Sequence, residues 1–276
     1  MNIKELELEA AKARLATWKL IYQAQNGHTG SDLSCADILV ALYFRILNQT
    51  PETFKAPNSD HYIQSKGHAV EILYTVLAQR GYFPKNALNS YSTFNSPYIG
   101  HPTNYINGIE LNTGSLGHGL GLSVGMALAS KLDHLDNHIY TLMGDGEQAE
   151  GSVWEAAMAA GNYNLDNLTA IIDYNRLQIS GPTAQVMNSE SLADKYTAFG
   201  FEVVQIDGNN MSELVSALET PNSKNKPKLI LANTIKGAGI SFAENKANWH
   251  HKIPTSAEYQ QGIQELEATI GGLEHE

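Results

Sequence analysis

The chain has 276 residues and 42% apolar content, room for one large α/β domain or two small ones with a sizeable core, which excludes a disordered chain. A net charge of -11 argues against nucleic acid and anionic membranes as partners. It leaves a phosphorylated ligand open, because anion sites are built from local backbone N–H groups and a few histidines or cations.

The single cysteine, Cys35, rules out an internal disulfide and a cysteine-based metal cluster, and it reads as a small buried hydrophobe. The charged start, Met1 to Glu5, lacks the apolar core of a signal peptide. No apolar run approaches the roughly 20 residues that span a bilayer. A soluble cytoplasmic protein is the expectation.

Residues 4–25 have the apolar spacing of an amphipathic helix, with Leu6, Ala11, Leu15, Trp18 and Ile21 on one broad face and Asn26-Gly27 as the stop. A second helix is expected from Ser34, as N-cap, to Leu47. His61 to Gln64 reads as a short strand feeding the loop Ser65-Lys66-Gly67-His68, with a helix to about Arg80 beyond it. Residues 92–113 are rich in Pro, Gly, Asn and Ser, and a loop that long inside a compact domain is usually functional.

Regular alternation follows. A helix is expected over Gly114 to Leu132, a strand over His138 to Met143 and a helix over 152–163. Then come strands over Leu168 to Asp173 and Phe201 to Ile206, a helix over 211–219 and a last strand over Lys228 to Asn233. Ser256 to Ile270 reads as a surface helix, and 271–276 carry little signal. Apolar strands alternating with helices predict an α/β fold: a doubly wound, mostly parallel sheet with helices on both faces, as one domain over 1–276. In such sheets ligands gather at the carboxyl ends of the strands.

The sharpest local feature lies at such an end. Gly144-Asp145-Gly146 directly follows the strand ending at Met143, so a carboxylate between glycines can approach a phosphate-bound cation closely. Alone, this tripeptide is weak. The next strand, however, delivers Asn175, thirty residues after Asp145, to the same sheet edge. A carboxylate, an amide oxygen and a backbone carbonyl, with Leu177 the candidate, suit the oxygen preference of Mg²⁺ and leave positions for phosphate oxygens and water. This pairing resembles the thiamine diphosphate motif.

Several of the ten histidines sit on glycine-flanked loops: His28, His68, His101 and His118, with His250 after Trp249. Zinc is an alternative from ligand type alone, although no pair has the i, i+4 spacing of a zinc helix and Asp-Asn oxygen ligation suits Mg²⁺ better. In order and context these loops resemble the transketolase family. They are Gly27-His28-Thr29-Gly30, Ser65 to Ala69, Gly100-His101-Pro102, Thr113 to Leu120, Gly144 to Gly151, Lys236 to Gly239 and Trp249-His250, spanning roughly residues 10–255.

That resemblance implies a thiamine diphosphate-binding fold and transfer of a two-carbon ketol unit from a ketose phosphate to an aldose. It implies Mg²⁺, replaceable by Ca²⁺ or Mn²⁺, held by Asp145, Asn175 and the Leu177 carbonyl. Cofactor contacts would come from Gly114, Ser115 and Leu116, from Gly144 and Gly146, and from Glu150 at the contact between domains. His68 and His250 would face the diphosphate and reaction zone, and His28 and His101 the sugar hydroxyls. Glu150 and Glu155 also fit a helix N-terminus, where acidic charge offsets the dipole. His118 and His251 depart from the family pattern, which bears on the substrate more than on the cofactor.

The family's activating Glu and its phosphate-gripping arginines lie on a second domain, and only 18 Lys plus Arg occur here. A partner subunit carrying the pyrimidine-binding and C-terminal domains is therefore expected, in an α2β2 assembly with the active site at the interface. Pentose phosphates are the default substrates, with branched and sulfonated sugars as alternatives. The rival readings are half of another thiamine diphosphate enzyme, such as the α chain of a 2-oxo acid dehydrogenase or a deoxyxylulose phosphate synthase fragment, and a non-catalytic cofactor-binding module. A dinucleotide-binding protein is disfavoured, because no G-x-G-x-x-G follows a first strand.

Overall fold

The structure is a computed structural model that describes residues 1–275. Helix α1 (Ile3–Ala24) opens on a capping box, in which Glu5 N donates to Asn2 Oδ1 at 2.9 Å and Asn2 N donates to Glu5 Oε2 at 2.8 Å. It buries Leu6, Trp18 and Ile21 completely, each burial worth about 1.5–3 kcal/mol. Next come α2 (Thr29–Ser34), α3 (Ala36–Ala41) with a π turn over Leu42–Ile46, β1 (His61–Gln64) and α4 (Val70–Gln79). After a 3₁₀ turn (Lys85–Ser90) and the long loop come α5 (Gly119–Leu132), β2 (Ile139–Gly144), α6 (Gly151–Asn162) and β3 (Leu168–Tyr174). A small hairpin, β4 (Leu177–Gln178) and β5 (Gly181–Pro182), precedes α7 (Thr183–Val186) and α8 (Leu192–Ala198). The chain continues through β6 (Glu202–Asp207), α9 (Met211–Glu219), β7 (Lys228–Asn233) and α10 (Ser256–His275).

The main sheet has the order β1-β2-β3-β7-β6 and every pairing in it is parallel. Its two faces are separated by the strand period of two. Along β3 and β7, Ala170, Ile172, Leu229 and Leu231 enter one core with α5, α6 and α8. Ile171, Ile230 and Ala232 enter the other, with α1, α3, α4 and α9. This is the fold class expected from the apolar strands. A third cluster, of Trp18, Leu33, Ile240, Ala243, Trp249 and Leu266, seats the segment after β7 between α1 and α10.

Three boundaries differ from expectation. Ser34 is not an N-cap: the helix begins at Thr29 and breaks at Cys35, so Ser34 is the last residue of α2 and its hydroxyl instead donates to Asp173 at 2.6 Å. Helix α5 starts at Gly119 instead of Gly114, since Gly114 (φ 143°) and Gly117 (φ 85°) lie outside helical backbone space and make a loop. Helix α10 runs five residues past the expected Ile270, to His275. The short elements between 177 and 198 carry no periodic signal and were not expected from the sequence.

Candidate cofactor site

Four parallel strands end at one edge, and each hands its loop to the same cleft. The register pairs Gly144 with Asp173 and Asp173 with Ala232, so the residues just beyond β2, β3 and β7 emerge side by side. β1 joins them because Lys66 N donates to Leu142 O at 3.1 Å, carrying the pairing into the Ser65–Ala69 loop. The cleft has a volume of about 430 Å³.

Its floor is a network closed within the chain. Lys66, 1% exposed, pairs with Asp173, 0% exposed, and donates to Ser31 O at 2.9 Å. Asp173 also accepts from the hydroxyls of Ser34 and Thr234. Burial opposes both charges, but each partner outweighs it: Lys66 is held above the ordinary lysine range and Asp173 below the ordinary carboxylate range. Glu147 joins three of the loops, accepting from Gly117 N at 2.8 Å, from Gly144 N at 2.9 Å and from the Ser65 hydroxyl.

Above this floor stands Asp145. Its Oδ1 accepts from Gly146 N at 2.7 Å and its Oδ2 from Arg176 N, which sets the carboxylate against the Asn175–Leu177 turn. Asn175 Oδ1 accepts from Leu177 N at 3.1 Å, and the Leu177 carbonyl accepts from Lys236 Nζ at 3.3 Å. Burial, then the charge of Asp173, pushes the Asp145 carboxyl up to about 7. A carboxylate so reluctant to ionise is one that a cation would stabilise. Lys236, 1% exposed, is lowered to about 8 by burial and by Lys66.

The rim is made of imidazoles. The His28 ring lies 5.2 Å from His68, 5.7 Å from His250, 6.3 Å from His101 and 4.5 Å from His251, and His68 stacks on His250 at 5.4 Å. Trp249, 2% exposed and 5.9 Å from Trp18, anchors the loop so that His250 reaches the cleft. Burial and neighbouring positive groups lower His28 and His250 to about 3, His68 is lowered by the same causes, and burial lowers His101. The lowering favours the neutral form of all four rings. The Nδ1 atoms of His28 and His250 are buried with no partner among the described residues. Gly114 brings the loop against His101: a Cβ there would lie 2.6 Å from the ring.

Of the residues singled out from sequence, His28, His68, Gly114, Leu116, Gly144, Asp145, Gly146, Glu150, Asn175, Leu177 and His250 all line the cleft. His101 stands at its margin, against His28 and Gly114. Ser115 does not join them: it is exposed and outside the lining, and its carbonyl accepts from His118 Nδ1 at 3.2 Å. His118 and Glu155 are exposed. Sequence reasoning missed Lys66, Lys236 and Ser31 as cleft residues, although both lysines lie in motifs already noted at strand ends.

A parallel α/β sheet whose carboxyl edge gathers a carboxylate turn, two buried lysines and neutral imidazoles defines a domain that binds an anionic cofactor. Similarity to known proteins makes this specific. Residues 7–271 match the family described as transketolase, thiamine diphosphate binding domain, and the chain belongs to that family. An apulose-4-phosphate transketolase subunit from Phocaeicola vulgatus is 46% identical over 100% of this chain and 99% of its own length. The 6-deoxy-6-sulfo-D-fructose transketolase subunit SqwG of a Clostridium species is 44% identical over 95% of this chain and 96% of its own. Human transketolase is 36% identical over 98% of this chain but only 43% of its own length. Among solved structures, Campylobacter jejuni transketolase superposes with a TM-score of 0.86 at 28% identity over 99% of this chain. The chain covers 48% of that protein, about half the length of the solved transketolases it matches. Family and fold are those that the loop motifs resembled.

Proposed function

We propose that this chain is the cofactor-binding subunit of a two-chain transketolase. It would transfer a two-carbon ketol unit from a ketose phosphate to an aldose acceptor with thiamine diphosphate and Mg²⁺. One observation supports the reading: the Asp145–Asn175–Leu177 oxygens, which follow β2 and β3, share a single cleft with His28, His68 and His250.

The residues fit the cofactor. The Asp145 carboxylate calls for a cation, Lys236 faces the same turn, and the orphaned Nδ1 atoms of His28 and His250 lack partners that a polar ligand would provide. Asp145, Asn175 and the Leu177 carbonyl would hold the metal, with Lys236, His68 and His250 toward the diphosphate. Thiamine diphosphate, when bound, supplies the nucleophilic carbon and the electron sink. The chain orients its ligands and handles protons: neutral His28 and His101 can accept or donate at the sugar hydroxyls.

The domain is proposed as one unit over 1–276. A partner with the pyrimidine-binding and C-terminal domains would complete the site in a cytoplasmic α2β2 enzyme. The relatives that match along their whole length are named as subunits. The substrates in their names, apulose 4-phosphate and sulfofructose, put branched and sulfonated sugars beside pentose phosphates as candidates.

The test is co-expression with the neighbouring reading frame, addition of thiamine diphosphate and Mg²⁺, and mass spectrometry of product sugars from a ketose panel. Ketol transfer by the mixture and by neither chain alone is expected. A stable, cofactor-loaded pair inactive on every ketose would overturn the reading.

A further inference from the structure

Two carboxyl groups close to the imidazole rim are left idle by this chemistry. Asp32 lies in α2, four residues after His28, and Glu71 in the first turn of α4, three residues after His68; both are 0% exposed. Asp32 Oδ1 accepts from Ile72 N at 3.0 Å. Glu71 Oε1 accepts from the Tyr91 hydroxyl, and Asp32 N donates to the His28 carbonyl at 3.0 Å. That leaves Asp32 Oδ2 and Glu71 Oε2, each buried with no partner among the described residues, on side chains drawn together because Asp32 takes the N–H of Ile72, the residue next to Glu71.

Burial raises both carboxyls, and the charge of Glu71 raises Asp32 further. Lys66, the cation that acts on Asp32, is already committed to Asp173. Buried carboxylates in contact do not both ionise. A single proton between Oδ2 and Oε2 would satisfy both orphaned oxygens at once.

The pair stands where three histidine-bearing segments meet. The first is held because Asp32 N donates to the His28 carbonyl, and Gly27 packs so closely that a Cβ would lie 3.0 Å from Glu71 Oε1. The second is the Ser65–Ala69 loop, whose His68 leads directly into α4. The third carries His101. Tyr91 ties it to Glu71, and Tyr74, one turn on from Glu71, donates to the carbonyls of Ile99 at 3.0 Å and His101 at 3.3 Å. Asn26 Nδ2 donates to Ser92 Oγ at 3.0 Å, joining the first and third segments directly.

We propose that Asp32 and Glu71 share one proton and that this bridge positions His28 and His101 for ketol transfer. The proposal rests on the function proposed above. Asp32 and Glu71 are positioning residues, acting on the reacting groups only through the histidines. The charged and titratable groups facing the pair are Lys66, Cys35, Tyr91, Tyr74 and the His28 segment.

The test has two arms. In the first, the wild-type chain, Glu71→Gln and Asp32→Asn are compared by infrared difference spectroscopy at neutral pH. A carbonyl band of a protonated carboxylic acid, present in the wild type and absent from Glu71→Gln and Asp32→Asn, is expected. In the second, the complex with its partner is assayed. Glu71→Ala should lower kcat/KM by about tenfold to hundredfold, as misplacing catalytic groups does, while calorimetry shows unchanged thiamine diphosphate affinity. Glu71→Gln, which can keep the contact as an amide–carboxylate pair, should restore most of that loss. If Glu71→Ala does not fold, Tyr91→Phe takes its place, with a smaller expected loss. No difference band, or equal losses in the Gln and Ala variants, would overturn the proposal. A wild-type complex inactive on all sugars would instead defeat the functional reading, with the infrared arm still deciding whether the bridge exists.

Discussion

The floor and the rim of the cleft are built from similar polar groups to opposite ends. On the floor, Lys66, Asp173, Ser34, Thr234 and Glu147 satisfy one another and the loop N–H groups around them. On the rim, five imidazoles crowd together, and His28 and His250 each keep a buried Nδ1 without a partner. The satisfied network belongs to the fold, whereas the unpartnered ring nitrogens at the cleft are open to a ligand. Floor substitutions should therefore damage stability, and rim substitutions should damage chemistry.

The largest expected effect is on the floor. Lys66→Met leaves the Asp173 carboxylate buried and unpaired, and should cost about 3–5 kcal/mol in chemical denaturation. A loss below about 1 kcal/mol would dissolve the distinction between the two regions. On the rim, His250→Ala removes an unsatisfied buried nitrogen, so folding stability should move by less than about 1 kcal/mol. In the reconstituted enzyme the same change should reduce kcat/KM by about a hundredfold or more.

A third prediction concerns acid. His28 and His250 titrate near 3 in the folded chain, against about 6.5 for an unperturbed histidine, so below neutrality the unfolded chain binds more protons. Their contribution is fully present above about pH 6.5 and is lost as the pH falls toward 3, by up to about 1.4 kcal/mol per pH unit for each ring. A His28→Gln/His250→Gln double variant should flatten that limb of the stability profile between about pH 6.5 and 4. An unchanged slope would mean that the rings are not held neutral. The smallest effect is expected at His118, exposed and bonded only to the nearby Ser115 and Leu116 carbonyls, where His118→Gln should stay within about 0.5 kcal/mol of the wild type.

The sheet was legible because its strands are apolar on both faces, and the Asp145–Asn175 turn because both residues follow adjacent parallel strands. The errors have a common cause. Ser34 reads as a cap until its hydroxyl is seen bonded to Asp173, 139 residues away. Gly114 reads as a helix start until its backbone is seen bent over His101. Lys66 and Lys236 carry no periodic signal, and only tertiary contact gives them buried partners. Asp32 and Glu71 are farther still from view: neither belongs to a motif, and their pairing exists only once α2 packs against α4.

The account turns on the Asp145–Asn175–Leu177 turn holding a divalent cation against the cofactor's diphosphate. The direct measurement is calorimetric titration of thiamine diphosphate into the purified two-chain complex, with and without Mg²⁺, for the wild type and Asp145→Ala. Metal-dependent binding that Asp145→Ala abolishes, with the complex intact, is the predicted result. Binding that needs no metal, or that survives loss of the Asp145 carboxylate, would contradict it.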